Sequence, residues 1–167
     1  MKTIIRFLAF SLLFISFNAF GQNVKYVDSS VVTSGNGNSW ATAIKSLSVA
    51  LDSAHKNFSI DSILVAEGTY SPEKKPYTMN VSKIGSTIVS LNTNDQTFHI
   101  RSGLEVYGGY PSGGGARDHL SNITILSGAI PSAFNSDTAY HVVLMDSSSY
   151  WGQSNDTSVI NGFTITN

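Results

Sequence analysis

The 167-residue chain contains no cysteine. Disulfide staples, thiolate nucleophiles and zinc held through Cys are therefore excluded, and the fold must rest on burial and backbone pairing. Charge is also scarce. Ten Lys and Arg face eleven Asp and Glu, together 13% of the residues, for a formal net charge of −1. Without a Lys/Arg cluster to release phosphate counterions, nucleic-acid binding has no electrostatic basis. Nor is there an apolar run of the roughly 20 residues that a bilayer-spanning helix needs. The polar content is instead Ser, Thr, Asn and Gly. This composition suits hydroxyl-rich surfaces that meet sugars and plain solvated loops equally well.

The longest apolar stretch, Phe7 to Phe17, is eleven residues and follows Lys2 and Arg6. A positive n-region before an h-region of 7–15 residues is the pattern of a secretory signal. Small residues at Ala19 and Gly21 place the cut before Gln22. The expectation is a signal peptide over 1–21 and a mature domain over 22–167. After cleavage no transmembrane segment remains, and the chain is secreted or held at the cell surface in association with an outer membrane.

In the mature chain, Val24-Lys25-Tyr26-Val27 alternates as a half-buried strand does. Gly35-Asn36-Gly37-Asn38 centres a turn-rich loop. Ser39 is placed to cap a helix, since Trp40, Ile44, Leu47, Leu51 and Ala54 then recur at steps of 4, 3, 4 and 3. The spacing predicts a helix over 41–56. Asp61 to Ala66 reads as a buried strand turned by Glu67-Gly68-Thr69-Tyr70 and stopped by Pro72. Residues 72–96 read as an insertion or long loop, with a weak strand over Ser86–Ser90. Regular strands resume at Thr97-Phe98-His99-Ile100.

From there Leu104-Glu105-Val106, Ile123-Thr124-Ile125, Val142-Val143-Leu144 and Phe163-Thr164-Ile165 begin 19, 19 and 21 residues apart. A period near 20 is the mark of a stacked solenoid, each rung burying its apolar face on the next. Alternation turns Leu104, Val106, Ile123, Ile125, Phe163 and Ile165 inward, and Glu105, Thr124 and Thr164 outward. The amphipathic helix would cover the open end of the first rung. The last rung runs into Asn167, so the expectation is a domain truncated at its C-terminus.

Several segments resemble secreted bacterial right-handed parallel β-helix proteins of the pectin-lyase-like fold. They are Gly37-Asn38-Ser39-Trp40, the stretch from Asp61 to Pro72, Gly103 to Tyr110, Thr124 to Gly128 and Val159 to Ile165. The resemblance implies an all-β solenoid, a right-handed parallel β-helix with an N-terminal capping α-helix, of which 22–167 is the cap and first coils. It also implies two activities known on such folds: lyases using Ca²⁺ held by carboxylates, and hydrolases using paired Asp or Glu.

The residues offer little for either. Glu105 is the one acid among the outward positions, and a solvated side chain accounts for it. Asp146 and Asp156 flank Tyr150-Trp151 and could bind a cation or cap turns. His99 and Arg101 alternate with Phe98 and Ile100, so both should face out, as ordinary surface residues or as a pair for an acidic sugar. Asp118-His119 lacks a Ser nucleophile elbow, and His141 reads as an edge residue. Gly108-Gly109 and Gly113-Gly114-Gly115 have no following Lys-Ser/Thr and are not nucleotide loops. The ligand-binding candidates are the aromatics Tyr150, Trp151, Tyr107 and Tyr110, which could stack on sugar rings or fold back over the stack. Trp40 is expected in the core. No catalytic or metal-ligating residue is assigned. The reading is an exported or cell-surface, non-catalytic module for adhesion or carbohydrate contact, partnered by polysaccharide or surface glycan and without a cofactor. The alternative is the front of a polysaccharide lyase or glycoside hydrolase with its active site on later coils, where Ca²⁺ could enter.

Overall fold

β-Branched and aromatic residues dominate the segments that form strands, and Gly and Asn the bends between them. The computed structural model describes residues 23–76, 92–130, 137–145 and 157–167. The segments read as signal peptide (1–21) and weak strand (86–90) lie outside the described residues, as do Asp146, Tyr150, Trp151 and Asp156.

Strand β1 (Asn23–Val27) is followed by helix α1 (Leu47–Lys56), then β2 (Ile60–Ala66), β3 (Gly68–Tyr70), β4 (Phe98–Ile100), β5 (Glu105–Tyr110) and β6 (Thr124–Ser127). A short antiparallel pair, β7 (Ala129–Ile130) with β8 (Asp137–Thr138), precedes β9 (Val143–Met145), β10 (Val159–Asn161) and β11 (Thr164–Thr166). Sheet A has the order β1-β2-β5-β10, sheet B β11-β6-β3, and sheet C pairs β4 with β9. Every ladder in these three sheets is parallel. From β2 onward the chain visits A, B, C, A, B, C, A, B in turn, leaving aside the β7–β8 pair.

That cycle revises the 20-residue period. The four triplets fall in β5, β6, β9 and β11, or just before their first residues, and so belong to sheets A, B, C and B. The two 19-residue intervals are thus single steps from one sheet to the next, and the 21-residue interval passes over β10. True stacking partners stand farther apart: His99 pairs with Leu144 and Val106 with Ile160, separations of 45 and 54 residues.

Inside the three sheets lie Val27, Ile63, Val65, Phe98, Leu104 and Val106, all at most 1% exposed. The outward assignment of Thr124 is corrected. Thr124 is 1% exposed and Ile123 is 44% exposed, with Leu126 inward beside Thr124. A one-residue slip exchanges the two faces of a strand. The polar side chain is tolerated inside because Thr124 Oγ1 accepts from the Gly109 amide (2.9 Å) and donates to the Ala66 carbonyl (3.3 Å). Ile165 is likewise exposed, at 55%.

The helix begins later than its spacing predicts. Trp40–Thr42 forms a 3₁₀ turn, and Ile44 is drawn into pairing with β1. The Ile44 amide donates to the Tyr26 carbonyl, and the Asp28 amide donates to the Ile44 carbonyl, each at 2.9 Å. Those bonds cannot coexist with a helical ladder through Ile44. The N-cap is therefore Ser46, whose hydroxyl accepts from the Val49 amide, and Ser39 makes no side-chain cap bond. The expected stripe survives as Leu47, Ala50, Leu51 and Ala54, each at most 3% exposed, packed into the same core as Ile60, Phe98 and Ile100.

His99 and Arg101 are the second correction, since both are buried at 8% exposure. Alternation fails here because α1 covers the side of β4 that would otherwise meet water. The His99 carbonyl accepts from His55 Nε2 (3.0 Å). Arg101 donates to the main-chain carbonyls of Ala54 (2.9 Å), Ser102 (2.8 Å), Phe58 (3.3 Å) and Ile60 (2.5 Å). Its guanidinium carbon lies 5.1 Å from the Phe58 ring centroid. The planar fork thus joins the end of α1 to the start of β2.

Asp28, 1% exposed, ties the Gly-rich loop to the end of β1. Its carboxylate accepts from the Gly113 amide (2.8 Å), the Ser30 amide (2.8 Å) and the Ser30 hydroxyl (2.6 Å). Burial acts to raise its pKa, but the combined hydrogen bonds outweigh that and hold it below the ordinary 3.8. A lowered folded pKa means the stabilisation is complete above the unfolded value and is lost as pH falls through the folded one. Asp28→Asn is expected to cost about 1–3 kcal/mol near neutral pH. It should also flatten the fall in melting temperature below about pH 4. Thermal unfolding across that range checks both.

Candidate functional site

The outward face of sheet A carries the strongest surface constellation among the described residues. Val106 points into the core, so its neighbours Glu105 and Tyr107 take the opposite face of β5. The same rule turns Tyr26 outward beside Val27, Leu64 between Ile63 and Val65, and Asn161 beside the part-buried Ile160. Pairing then sets Tyr26, Leu64, Tyr107 and Asn161 in one row across four strands. Adjacent strands are about 4.8 Å apart, so Tyr26 and Tyr107 lie roughly 10 Å apart along the row.

Two groups flank the row. On one side Trp40 meets Tyr26 edge-on, with ring centroids 5.0 Å apart at 67°, and Tyr110 at 5.3 Å and 45°. Trp40 is half-buried, which corrects its expected core position. The loop after β5 lies directly on the indole. A Cβ on Gly114 would come within 2.3 Å of Trp40 Cδ1, and Gly114 has φ +94°. Only glycine suits that approach and that backbone. On the other side Arg117 Nε donates to the Gly108 carbonyl (2.7 Å), and Nη2 donates to Asn161 Oδ1. Its guanidinium carbon stands 5.3 Å from the Tyr107 ring centroid. Loss of solvent contact and the Glu105 carboxylate push the Tyr107 hydroxyl above its ordinary 10, so it remains a neutral donor.

Tyr107 and Tyr110 therefore share a neighbourhood. Tyr110 folds back on Trp40, and Tyr107 keeps one flank under Arg117. Tyr150 and Trp151 lie outside the described residues. Tyr26, Trp40, Arg117 and Asn161 are missed by the sequence reading. Tyr26 was legible by alternation with Val27, whereas Arg117 and Asn161 meet only through pairing of β5 with β10.

Acid chemistry finds little support on this face. The register partners of Glu105 are Ser62 and Val159, so no second carboxylate stands beside it on a neighbouring strand. Among the described residues no three His, Asp or Glu side chains gather as metal ligands. Asp118 caps a turn, accepting from the Leu120 amide (3.0 Å) and the Ser121 hydroxyl (2.7 Å); the Ser121 bond is the largest cause lowering its pKa. His119 and His141 are exposed. Among the described residues no helix is long and apolar enough to cross a membrane.

The site offers flat aromatic flanks, a forked cation and uncharged donors and acceptors on a rigid sheet. That combination orients polyhydroxylated rings through stacking and hydrogen bonds. Comparison with protein-family models, curated proteins and solved structures finds no match.

Proposed function

We propose that the chain is an exported or cell-surface module, a capped right-handed parallel β-helix of pectin-lyase-like type, which makes non-catalytic contact with carbohydrate. The repeated passage through three parallel sheets supports the architecture. In this reading α1 is the lid on the first coil, since its apolar stripe and Arg101 cover the sides of β2 and β4. Export rests on the apolar segment after Lys2 and Arg6.

The observation that carries the binding role is the row Tyr26–Leu64–Tyr107–Asn161 with Trp40 and Arg117 at its flanks. The polysaccharide would lie across the strands and meet Tyr107 and Trp40 with successive rings. Stacking and lost hydrogen bonds at Tyr107 amount to roughly 1–2 kcal/mol, or about tenfold in affinity. On a glycan array, Tyr107→Ala should weaken the bound glycans by that factor, with the melting temperature kept because Tyr107 is outside the core. Unchanged binding by a folded Tyr107→Ala and Trp40→Phe pair of variants would refute the site.

A further inference from the structure

The outward face of sheet A carries a second row beside the one that holds Tyr107. Residues two apart on a strand share a face, so Val24 accompanies Tyr26, Ser62 accompanies Leu64, Glu105 accompanies Tyr107 and Val159 accompanies Asn161. Pairing sets Val24, Ser62, Glu105 and Val159 side by side across the four strands. The two valines are half-buried and close the row at its ends. One hydroxyl and one carboxylate therefore stand between apolar side chains.

Neither polar group is matched by the protein around it. Ser62 is 3% exposed, and its Oγ is the one buried side-chain oxygen or nitrogen among the described residues with no hydrogen-bond partner. A buried hydroxyl left in this way costs about 1–3 kcal/mol and calls for a guest that supplies the bond. Glu105 is half-buried and forms no ion pair among the described residues. Lys25, the cation on β1, is engaged with the Asn36 carbonyl (3.0 Å) and Asn38 Oδ1 (2.7 Å). Arg117 is engaged with the Gly108 carbonyl and Asn161 Oδ1. The Glu105 carboxylate faces the Tyr107 hydroxyl instead. Its negative charge is left uncompensated beside valines that limit the access of water.

Carboxylate, phenol and hydroxyl offer three kinds of oxygen acceptor close together. Neighbouring strands are about 4.8 Å apart, and Glu105 and Tyr107 are roughly 7 Å apart along β5. A primary ammonium carries three N–H donors and one positive charge, which matches this set. A divalent cation is the poorer fit, since a single carboxylate leaves half its charge unmatched.

We infer that Glu105, Tyr107 and Ser62 form a subsite for a primary ammonium group, so that the carbohydrate meeting this face carries free amino sugars. The subsite rests on the carbohydrate reading of the face. The pyranose ring lies on Tyr107, and its exocyclic amine turns along β5 toward Glu105. Arg117, bonded at Gly108 on the far side of Tyr107, repels the amine and fixes that direction. As Glu105 swings onto the amine, the Ser62 hydroxyl is uncovered and accepts from the third N–H.

Isothermal titration calorimetry of the intact chain compares a glucosamine tetramer with its N-acetylated counterpart, at about 0.15 M salt to screen non-specific attraction. The amine form is expected to bind about tenfold more tightly. Glu105→Gln should bring the two tetramers to within about threefold of each other. Ser62→Ala should weaken the amine form about threefold while holding or raising the melting temperature, because it deletes an unpaired hydroxyl. Equal affinity for the two tetramers, or a preference that Glu105→Gln leaves intact, overturns the subsite. Equal binding that Tyr107→Ala weakens for both tetramers overturns the subsite and leaves the carbohydrate face standing. A preference that survives Tyr107→Ala but not Glu105→Gln upholds the subsite and removes the stacking face. Binding of neither tetramer overturns both.

Discussion

Arg101→Ala is expected to lower the unfolding free energy by about 3–5 kcal/mol, because it strips donors from several main-chain carbonyls at once. The Ala54 and Ile60 carbonyls lie next to the packed ends of α1 and β2, where water replaces the guanidinium poorly. For a domain of this size that corresponds to a fall in melting temperature of roughly 10 °C. The Arg101 carbonyl also accepts from Ser158 Oγ (3.0 Å), so the residue links the start of β2 to the approach to β10. Arg101→Lys keeps the charge but loses the planar fork, and should recover less than half of the loss. Thermal and denaturant unfolding of the two variants measure both effects. A change below about 1 kcal/mol in Arg101→Ala would mean that α1 is held by its apolar stripe alone.

Leu47→Asp should be more severe. Leu47 is the first residue of α1, directly after the Ser46 cap, and is 2% exposed in the core. An acidic residue in the first turn favours an isolated helix, so any failure isolates the burial of charge from helix propensity. The variant is expected in the insoluble fraction. Leu47→Ala should remain folded at a cost of about 2–5 kcal/mol. Val49→Asp, on the exposed side at 40%, should cost less than about 1 kcal/mol. Soluble, cooperatively melting Leu47→Asp would contradict the packing of α1 into the core.

What could be read from sequence follows from how local each cause is. Strands β1 and β2 announce themselves through Val27, Ile63 and Val65, and the helix stripe through Leu47, Leu51 and Ala54. Local patterns reach no farther than one strand or helix. Ile44 has a helical spacing yet pairs with β1 because two backbone bonds to Tyr26 and Asp28 compete with the helix. Thr124 looks like a surface residue until Gly109 and Ala66 supply its partners. The 20-residue interval was visible, but its meaning depended on which sheet each strand joined. For the same reason Tyr107 could be named as a candidate, whereas its neighbours Arg117 and Asn161 required the β5–β10 register. The contact between His55 and His99 was hidden because alternation sent His99 outward, and α1 covers that side of β4.

Core and surface faces alike are set by the parallel cycle through sheets A, B and C. Amide-proton NOE spectroscopy of the labelled chain measures it directly. Contacts linking Ile63 to Val106 to Ile160, and His99 to Leu144, with the slanted pattern of parallel strands, are the result it predicts. Close cross-strand α-proton pairs joining Leu104–Val106 to Ile123–Ile125, as in an antiparallel hairpin, would contradict it.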